Sequence, residues 1–315
     1  MTPSYLARLM LLSSASFFLL HLVIAAVVAS IAPAFVQRAH KARPQQAARL
    51  LLTLRLLPAA LSTLVVAALC VPSYLRFEPR LAEEEVSIAC VAFAFLGAAI
   101  WASGIYRTVS ALLRSALYVR RCEGRESIVA GEKVLVVKNS AVLALTGIVH
   151  PRLLISEVAL SELSGEQLAI ALRHEQAHRA SRDNLKRLLI LLAPPLFPRL
   201  RLLEQAWAKC AEWAADDRAA DGDAVQSTTL AAALVRVARL QSGFTLPLAT
   251  SLVEADEDLS IRVNRLLSAG PGAEGDLRGQ TLGLSAVLLL IAAISLNSGA
   301  LHAVHELLEH VYDLW

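Results

Sequence analysis

Residues 174–178 read His-Glu-Gln-Ala-His, an HExxH motif that is typical of catalytic zinc sites. On a helix, His174 and His178 project from one face, so their imidazoles can bind the same metal ion. Glu212 follows in a second helical segment, and two histidines with a glutamate are a known ligand set that leaves one zinc position open. These three residues are predicted to bind one Zn²⁺ ion, with Glu175 as the general base. The chemistry is hydrolysis of a polarised carbonyl, most simply a peptide bond.

Other polar residues near the motif are assigned less direct roles. Asp216 lies one helical turn after Glu212 and is predicted to accept a hydrogen bond from a ligand histidine, the alternative being a solvated helix charge. Cys210 is predicted to point to another side of the same helix. Asp183 is interpreted as a cap of the helix that follows it. Arg262 is interpreted as a surface arginine, the alternative being an anion-stabilising group near the site.

Two helical segments are predicted to position the metal ligands. Ser164 and Gln167 form a capping box, so the HExxH motif lies roughly two to three turns inside a helix. The second segment, Glu204–Ala220, contains neither glycine nor proline and is rich in helix-forming residues. Glu212 and Asp216 therefore share one face of this second helix.

A small sheet is predicted between the third apolar run and the zinc motif. Its strands are predicted at Lys133–Val137, Ala141–Leu145 and Leu153–Ile155, and later helices at Thr228–Leu240 and Ile261–Leu267. An edge of such a sheet can pair with an extended peptide, the alternative being that the strands only cover the helices. Ser268–Gly279 is predicted to be a flexible linker because it is rich in glycine.

The composition is that of a membrane protein, since 56% of the residues are hydrophobic and the mean hydropathy is +0.54. Four runs without Asp, Glu, Lys or Arg reach the roughly 20 residues that a bilayer requires: Leu9–Val36, Leu56–Leu75, Val86–Tyr106 and Thr281–Leu301. We predict four spans, and their lack of charge argues against a transporter. A shorter run, Leu188–Phe197, is broken by two prolines and cannot cross, although a dip into the cytoplasmic leaflet stays open.

The loop charges predict the orientation of the chain. Basic residues follow the first and third runs and acidic residues outnumber basic ones after the second, so both termini are predicted to lie outside the cell. The predicted organisation is three spans over 1–106, a cytoplasmic domain over 107–278, a fourth span over 279–301 and an external amphipathic tail over 302–315. The tail contains His302, His305 and His310, but its apolar stripe favours an interfacial helix over a second metal site.

Single histidines and cysteines suggest no further site. His21 in the first span is interpreted as a packed or hydrogen-bonded side chain. The four cysteines contain no CxxC pair, and no disulfide is expected: Cys70, Cys90, Cys122 and Cys210.

Three stretches resemble one family of membrane peptidases. They are Arg173-His174-Glu175-Gln176-Ala177-His178, then Arg182-Asp183-Asn184-Leu185, then Glu212 to Asp216 within Glu-Trp-Ala-Ala-Asp-Asp-Arg-Ala-Ala. The chain resembles the BlaR/MecR-type antirepressor metallopeptidases, whose zinc domain is inserted between the third and fourth membrane helices. The resemblance implies a bacterial inner-membrane protease that uses the same ligands and base, with Asp216 supporting a ligand histidine. Residues 302–315 are too few for the penicillin-binding sensor domain of the founding members, so β-lactam sensing is not expected.

The expected fold is that of a mainly α membrane protein with four transmembrane helices and a cytoplasmic α+β, zincin-like metallopeptidase domain. The expected function is zinc-dependent cleavage of a cytoplasmic or membrane-associated protein in signalling, with a transcriptional repressor as one candidate and no direct nucleic-acid binding. One alternative is an HtpX-type quality-control protease, which shares HExxH and ExxxD. The other is a signal transducer in which zinc only stabilises the fold; Glu175 argues against it, because a structural site does not need an adjacent base.

Overall fold

The structure is a computed structural model that describes residues 3–78, 87–121, 124–138, 143–147, 151–240, 249–251, 256–268, 297–299, 301–304 and 306. The chain is mainly helical, as predicted. Its helices are α1 (Pro3–Ala39), α2 (Pro44–Val65), α3 (Val71–Phe77), α4 (Ile88–Arg121), α5 (Glu157–Glu162), α6 (Gly165–Ser181), α7 (Asp183–Leu192), α8 (Arg199–Ala220), α9 (Ala224–Leu240) and α10 (Asp256–Leu267). Its strands are β1 (Gly124–Val129), β2 (Glu132–Val137), β3 (Leu143–Thr146), β4 (Arg152–Ser156) and β5 (Ala249–Ser251).

Three helical rods are long and apolar enough to cross a membrane. They cover Tyr5–Ala39, Pro44–Phe77 and Ile88–Arg121, and the second consists of α2 and α3 joined by a π-helical stretch, Val66–Cys70. The first three predicted spans are thus plausible membrane helices, whereas the fourth lies almost entirely outside the described residues, as does the linker before it. Each rod has 34 or 35 residues, about 51 Å of helix, so each extends well beyond a hydrocarbon layer of about 30 Å.

The sheet has five strands in the order β1-β2-β4-β3-β5. β2 and β4 pair in parallel, while β1 with β2, β3 with β4 and β3 with β5 are antiparallel. The predicted strands correspond to β2, β3 and β4, although 139–142 lie outside the described residues. β1 and β5 were missed because β1 is a largely exposed edge strand and β5 has three residues. The apolar core between this sheet, α6 and α9 includes Leu145, Ile155, Leu172 and Leu234.

The helices that carry the site match the sequence-based expectation in type and place. Ser164 accepts a hydrogen bond from the Gln167 backbone N–H, and the Gln167 side chain accepts one from the Ser164 backbone N–H, so the predicted capping box starts α6. The apolar run Leu188–Phe197 divides into the end of α7 and a turn through Pro194. α7 and α8 are therefore joined by this turn, and we call the two helices with their turn the hairpin.

This hairpin packs directly on the long helices. Apolar side chains of α1 and α2, including Ala29, Ala47 and Leu51, form one core with Leu203 and Trp207 of α8. The predicted domain boundary at residue 107 lies inside the continuous helix α4. The helix that carries Glu212 consequently shares one apolar core with the connected ends of α1 and α2.

Few residues of the predicted external tail are described. Leu301 and Val304 pack against Leu69 and Phe77 at the far end of the second rod, and the Ser73 hydroxyl donates to the Leu301 carbonyl at 2.9 Å. Residues 305 and 307–315, which include His305 and His310, lie outside the described residues.

His21 and the described cysteines show no second metal cluster. His21 is buried and stacks on Phe17, with ring centroids 5.4 Å apart. Cys70, Cys90 and Cys210 are buried free thiols, as expected, and Cys122 lies outside the described residues.

Candidate metal centre

The two histidines of the motif converge as predicted. One turn apart on α6, their rings lie 4.7 Å apart and nearly perpendicular, with 3.1 Å between His174 Nε2 and His178 Nε2. Both side chains are buried. The capping box fixes where α6 begins, and the i, i+4 spacing of the histidines turns both imidazoles to the side that faces α8.

Glu212 completes a triad with these histidines. Its Oε2 lies 3.4 Å from His174 Nε2 and its Oε1 lies 3.5 Å from His178 Nε2. The three residues are buried, their ligand atoms lie within 4.8 Å of one another, and the group could hold a metal ion. Tetrahedral zinc with bonds of about 2.0–2.1 Å requires ligand atoms about 3.4 Å apart, so the observed separations fit such an ion.

The outer nitrogen of each imidazole faces a carboxylate. His174 Nδ1 lies 3.0 Å from Asp216 Oδ1, and His178 Nδ1 lies 2.7 Å from Asp183 Oδ2. Carboxylates in these positions favour a proton on Nδ1 and leave each Nε2 lone pair directed to the centre of the triad. Two lone pairs and a carboxylate that converge at this separation form a site suited to a cation.

The interpretation of Asp183 as a helix cap was wrong. Its carboxylate contacts the His178 ring and Lys186 instead, and no side-chain cap bond starts α7. The next residue, Asn184, donates to the Leu145 and Gly147 carbonyls at 3.1 and 2.8 Å, which ties the start of α7 to β3. The ion pair with Lys186 and the attachment of Asn184 to β3 therefore hold Asp183 against His178.

The interpretation of Arg262 as a surface residue was also wrong. Its side chain is only 5% exposed and donates to both oxygens of Asp216, at 2.9 and 2.6 Å. It also lies 3.2 Å from Glu212 Oε2. Its helix, α10, packs through Val263 and Leu266 on the core beneath the sheet, which places Arg262 over α8. The sequence contains one signal of this burial, because Val263 and Leu266 are apolar and follow Arg262 by one and four positions. Residues next to a buried apolar stripe are themselves held close to the core.

The electrostatics of the triad follow from its burial and its neighbours. Burial acts to lower the pKa of His178, but the Glu212 carboxylate and then Asp183 raise it to about 10. Burial acts to raise the pKa of Glu212, but His178 and Arg262 hold it well below its usual range. Asp216 follows the same pattern, since Arg262 and His174 outweigh burial and lower its pKa to about 2. The carboxylates of Glu212 and Asp216 are thus ionised at neutral pH.

The charges around the triad favour a divalent cation. Four buried carboxylates lie at or beside it, namely Glu175, Asp183, Glu212 and Asp216. Three cationic side chains approach these carboxylates, namely Lys186, Arg187 and Arg262. When both imidazoles are neutral, as metal ligands must be, the group has an excess of one negative charge. A doubly charged ion offsets this excess in a region that excludes water.

Glu175 lies beside the triad, as the motif requires. Its side chain is fully buried, and its negative charge contributes to raising the pKa of both His178 and Arg262. Its carboxylate is therefore within electrostatic reach of the ligands without belonging to the triad. Cys210, on α8, is buried in the apolar core shared with α1 and α2 and is not a member of the triad.

Neither the models of known protein families nor the curated proteins include a significant match to this chain. The resemblance described above therefore rests on the residues quoted for it.

Proposed function

We propose that this chain is an integral-membrane zinc metalloendopeptidase of the BlaR/MecR type. The observation that supports this most is the position of Glu175, an ionisable carboxylate buried beside a triad that has only three protein ligands. A structural zinc ion takes four protein ligands and needs no neighbouring base, whereas a catalytic one leaves a position open. Two histidines with a glutamate favour zinc over magnesium or calcium, which prefer oxygen ligands.

In the proposed reaction, His174, His178 and Glu212 hold the metal, which when bound polarises a carbonyl and lowers the pKa of water. Glu175 accepts a proton from the attacking water as the water oxygen bonds to the scissile carbon. It then donates this proton to the amide nitrogen as the carbon–nitrogen bond breaks. Asp183 and Asp216 keep the imidazoles oriented through their Nδ1 atoms.

The proposed setting is a bacterial inner membrane with the metal centre on the cytoplasmic side, as the loop charges predict. The proposed substrate is a cytoplasmic or membrane-associated protein, with a transcriptional repressor as one candidate and no direct binding of nucleic acid. This setting is supported by the packing of α8 on the inner ends of α1 and α2, because it keeps the site near the bilayer.

The test compares cleavage of denatured β-casein by the purified, zinc-loaded full chain with that of a Glu175→Gln variant whose zinc content is measured. Glu166→Gln is the matched control, because Glu166 is exposed in the first turn of the same helix. We expect the wild type and the control to cleave, and the Glu175→Gln protein to lose at least about a hundredfold in rate while retaining zinc. Equal cleavage by both variants would exclude Glu175 as the base. No cleavage by fully loaded wild type would favour the alternative of a structural zinc site.

A further inference from the structure

We propose that the metal centre cleaves substrates anchored in the same membrane, at a bond about four residues from the inner end of their span. This inference rests on the proposed function. It follows from the distance between the triad and the membrane boundary, which the long helices and the α7–α8 hairpin determine.

The described helices mark two boundaries of an apolar layer. At one end, the buried rings of Tyr5 and Tyr74 lie 5.0 Å apart, where the apolar run Leu56–Leu75 ends. At the other end, Arg55 and Arg107 are the charged residues that directly adjoin the apolar runs Leu56–Leu75 and Val86–Tyr106. Nineteen residues separate Tyr74 from Arg55, which is about 29 Å of helix and matches a hydrocarbon layer of about 30 Å.

The tip of the α7–α8 hairpin lies at the inner of these two boundaries. Arg55 donates to the Ala193 carbonyl, in the turn of the hairpin, at 2.8 Å. Gly104, three residues before Arg107, meets the neighbouring residue of the hairpin so closely that a Cβ on it would lie 2.1 Å from the Leu192 carbonyl oxygen. Two of the three long rods therefore contact the hairpin tip at the same level.

Both helices of the hairpin then lead from this level to the metal centre. Along α7, the nine residues from Leu192 back to Asp183 span about 14 Å. Along α8, Glu204 pairs with Arg55 at 3.4 Å, and the eight residues from Glu204 to Glu212 span about 12 Å. Two paths thus place Asp183, which contacts His178, and Glu212 about 12–14 Å along the helices from the membrane boundary.

This short distance limits the substrates that can approach from the membrane side. The polar headgroups occupy about 5–7 Å of it, which leaves about 8 Å, less than the 10–12 Å diameter of a helix with its side chains. An extended chain fits, and at about 3.3–3.6 Å per residue it reaches the triad in about four residues. Tethering also raises the effective concentration of the segment to the millimolar range.

The first experiment uses a reporter in which distance varies while sequence stays constant. A single apolar span is followed by four copies of a segment of about ten residues, taken from around a bond that the enzyme cuts in β-casein. Successive copies lie about 33 Å further from the membrane when extended. The full-length enzyme and the reporter are reconstituted together in liposomes, and mass spectrometry counts the cuts in each copy. The tail without its span is the control.

We expect the copy nearest the span to be cut at least about fivefold more often than the second, and the free tail to be cut evenly. Even cutting of the anchored reporter, or cutting of the free tail alone, would overturn the inference. If β-casein itself is not cut, the proposed function fails, and the geometry is then decided by a measurement that needs no activity.

That second measurement compares two fluorophore positions in nanodiscs that contain headgroup-labelled nitroxide lipid. Arg199→Cys places the label at the hairpin tip, and Arg179→Cys places it beside the triad; both residues are exposed, and the native cysteines are replaced in both variants. We expect strong quenching at position 199 and at least about threefold weaker quenching at position 179, because contact quenching does not extend over the roughly 8 Å between the headgroups and the triad. Equal quenching at the two positions would refute the inference whether or not the enzyme cleaves.

Discussion

Replacing Asp216 by asparagine tests whether the carboxylate behind His174 supports the metal site. Asparagine keeps an oxygen that can accept from His174 Nδ1, now 3.0 Å away, but removes a negative charge from a fully buried position. Arg262 then loses the charge of its partner and the 2.9 Å hydrogen bond from its Nε to Oδ2, while the retained oxygen can still accept the 2.6 Å bond. Its remaining carboxylate is Glu212, 3.2 Å away, which is itself a metal ligand in the proposed site. The substitution therefore weakens one ligand directly and draws another towards a guanidinium group.

The expected size of the effect follows from these contacts. Removing a carboxylate that orients a ligand histidine typically lowers metal affinity by about 10- to 100-fold. Because Asp216 affects both His174 and, through Arg262, Glu212, we expect a loss near 100-fold, or about 2.7 kcal/mol of binding free energy. We expect this loss in zinc affinity itself. A variant that is only less well folded would not lose zinc affinity selectively.

The assay is competition for zinc with a chromophoric chelator, and Asp217→Asn is the matched control. Asp217 is the next residue on the same helix, but its carboxylate pairs with the partly exposed Arg265 at 2.7 Å. An exposed pair of this kind contributes little, so we expect less than about a threefold change in zinc affinity. If the two variants lose affinity equally, or if Asp216→Asn loses none, the assignment of Asp216 as an orienting carboxylate is refuted.

Two further predictions concern packing and pH. Gly104→Ala should destabilise the protein by about 1–3 kcal/mol, because the new Cβ would lie 2.1 Å from the Leu192 carbonyl oxygen. The open site of Gly165 should tolerate alanine. Thermal unfolding in detergent compares the two variants, and equal midpoints would contradict the close packing of α4 on the hairpin. Zinc affinity should fall as pH falls. Burial opposes protonation of His178, but Glu212 and Asp183 raise its pKa to about 10, so zinc must displace a proton at neutral pH. The affinity should therefore drop about tenfold per pH unit for each proton displaced. A chelator titration between about pH 6 and pH 8 that shows no slope would exclude this competition.

The parts of the site that could be read from the sequence are local. The spacing of His174 and His178 and the capping box at Ser164 each lie within a few turns of one helix, where the helical period alone determines which side chains share a face. The apolar length of the first three spans is likewise a property of contiguous residues, and the structure has three matching helices. Glu212 could be proposed because its chemistry completes the ligand set of the histidines.

The tertiary structure decided which distant groups meet the ligands. Asp183 follows α6 by a single turn residue, and its contact with His178 depends on the left-handed backbone of Arg182, with φ of 55°, which redirects α7. The burial of Arg262 depends on how α10 packs on the sheet core. The proposed distance of the site from the membrane depends on the contact of Arg55 with the hairpin. A periodic pattern determines a face of one helix, but it does not determine how the chain turns between α6 and α7. Nor does it determine which elements far apart in sequence pack together, so these three contacts were visible only in the folded chain.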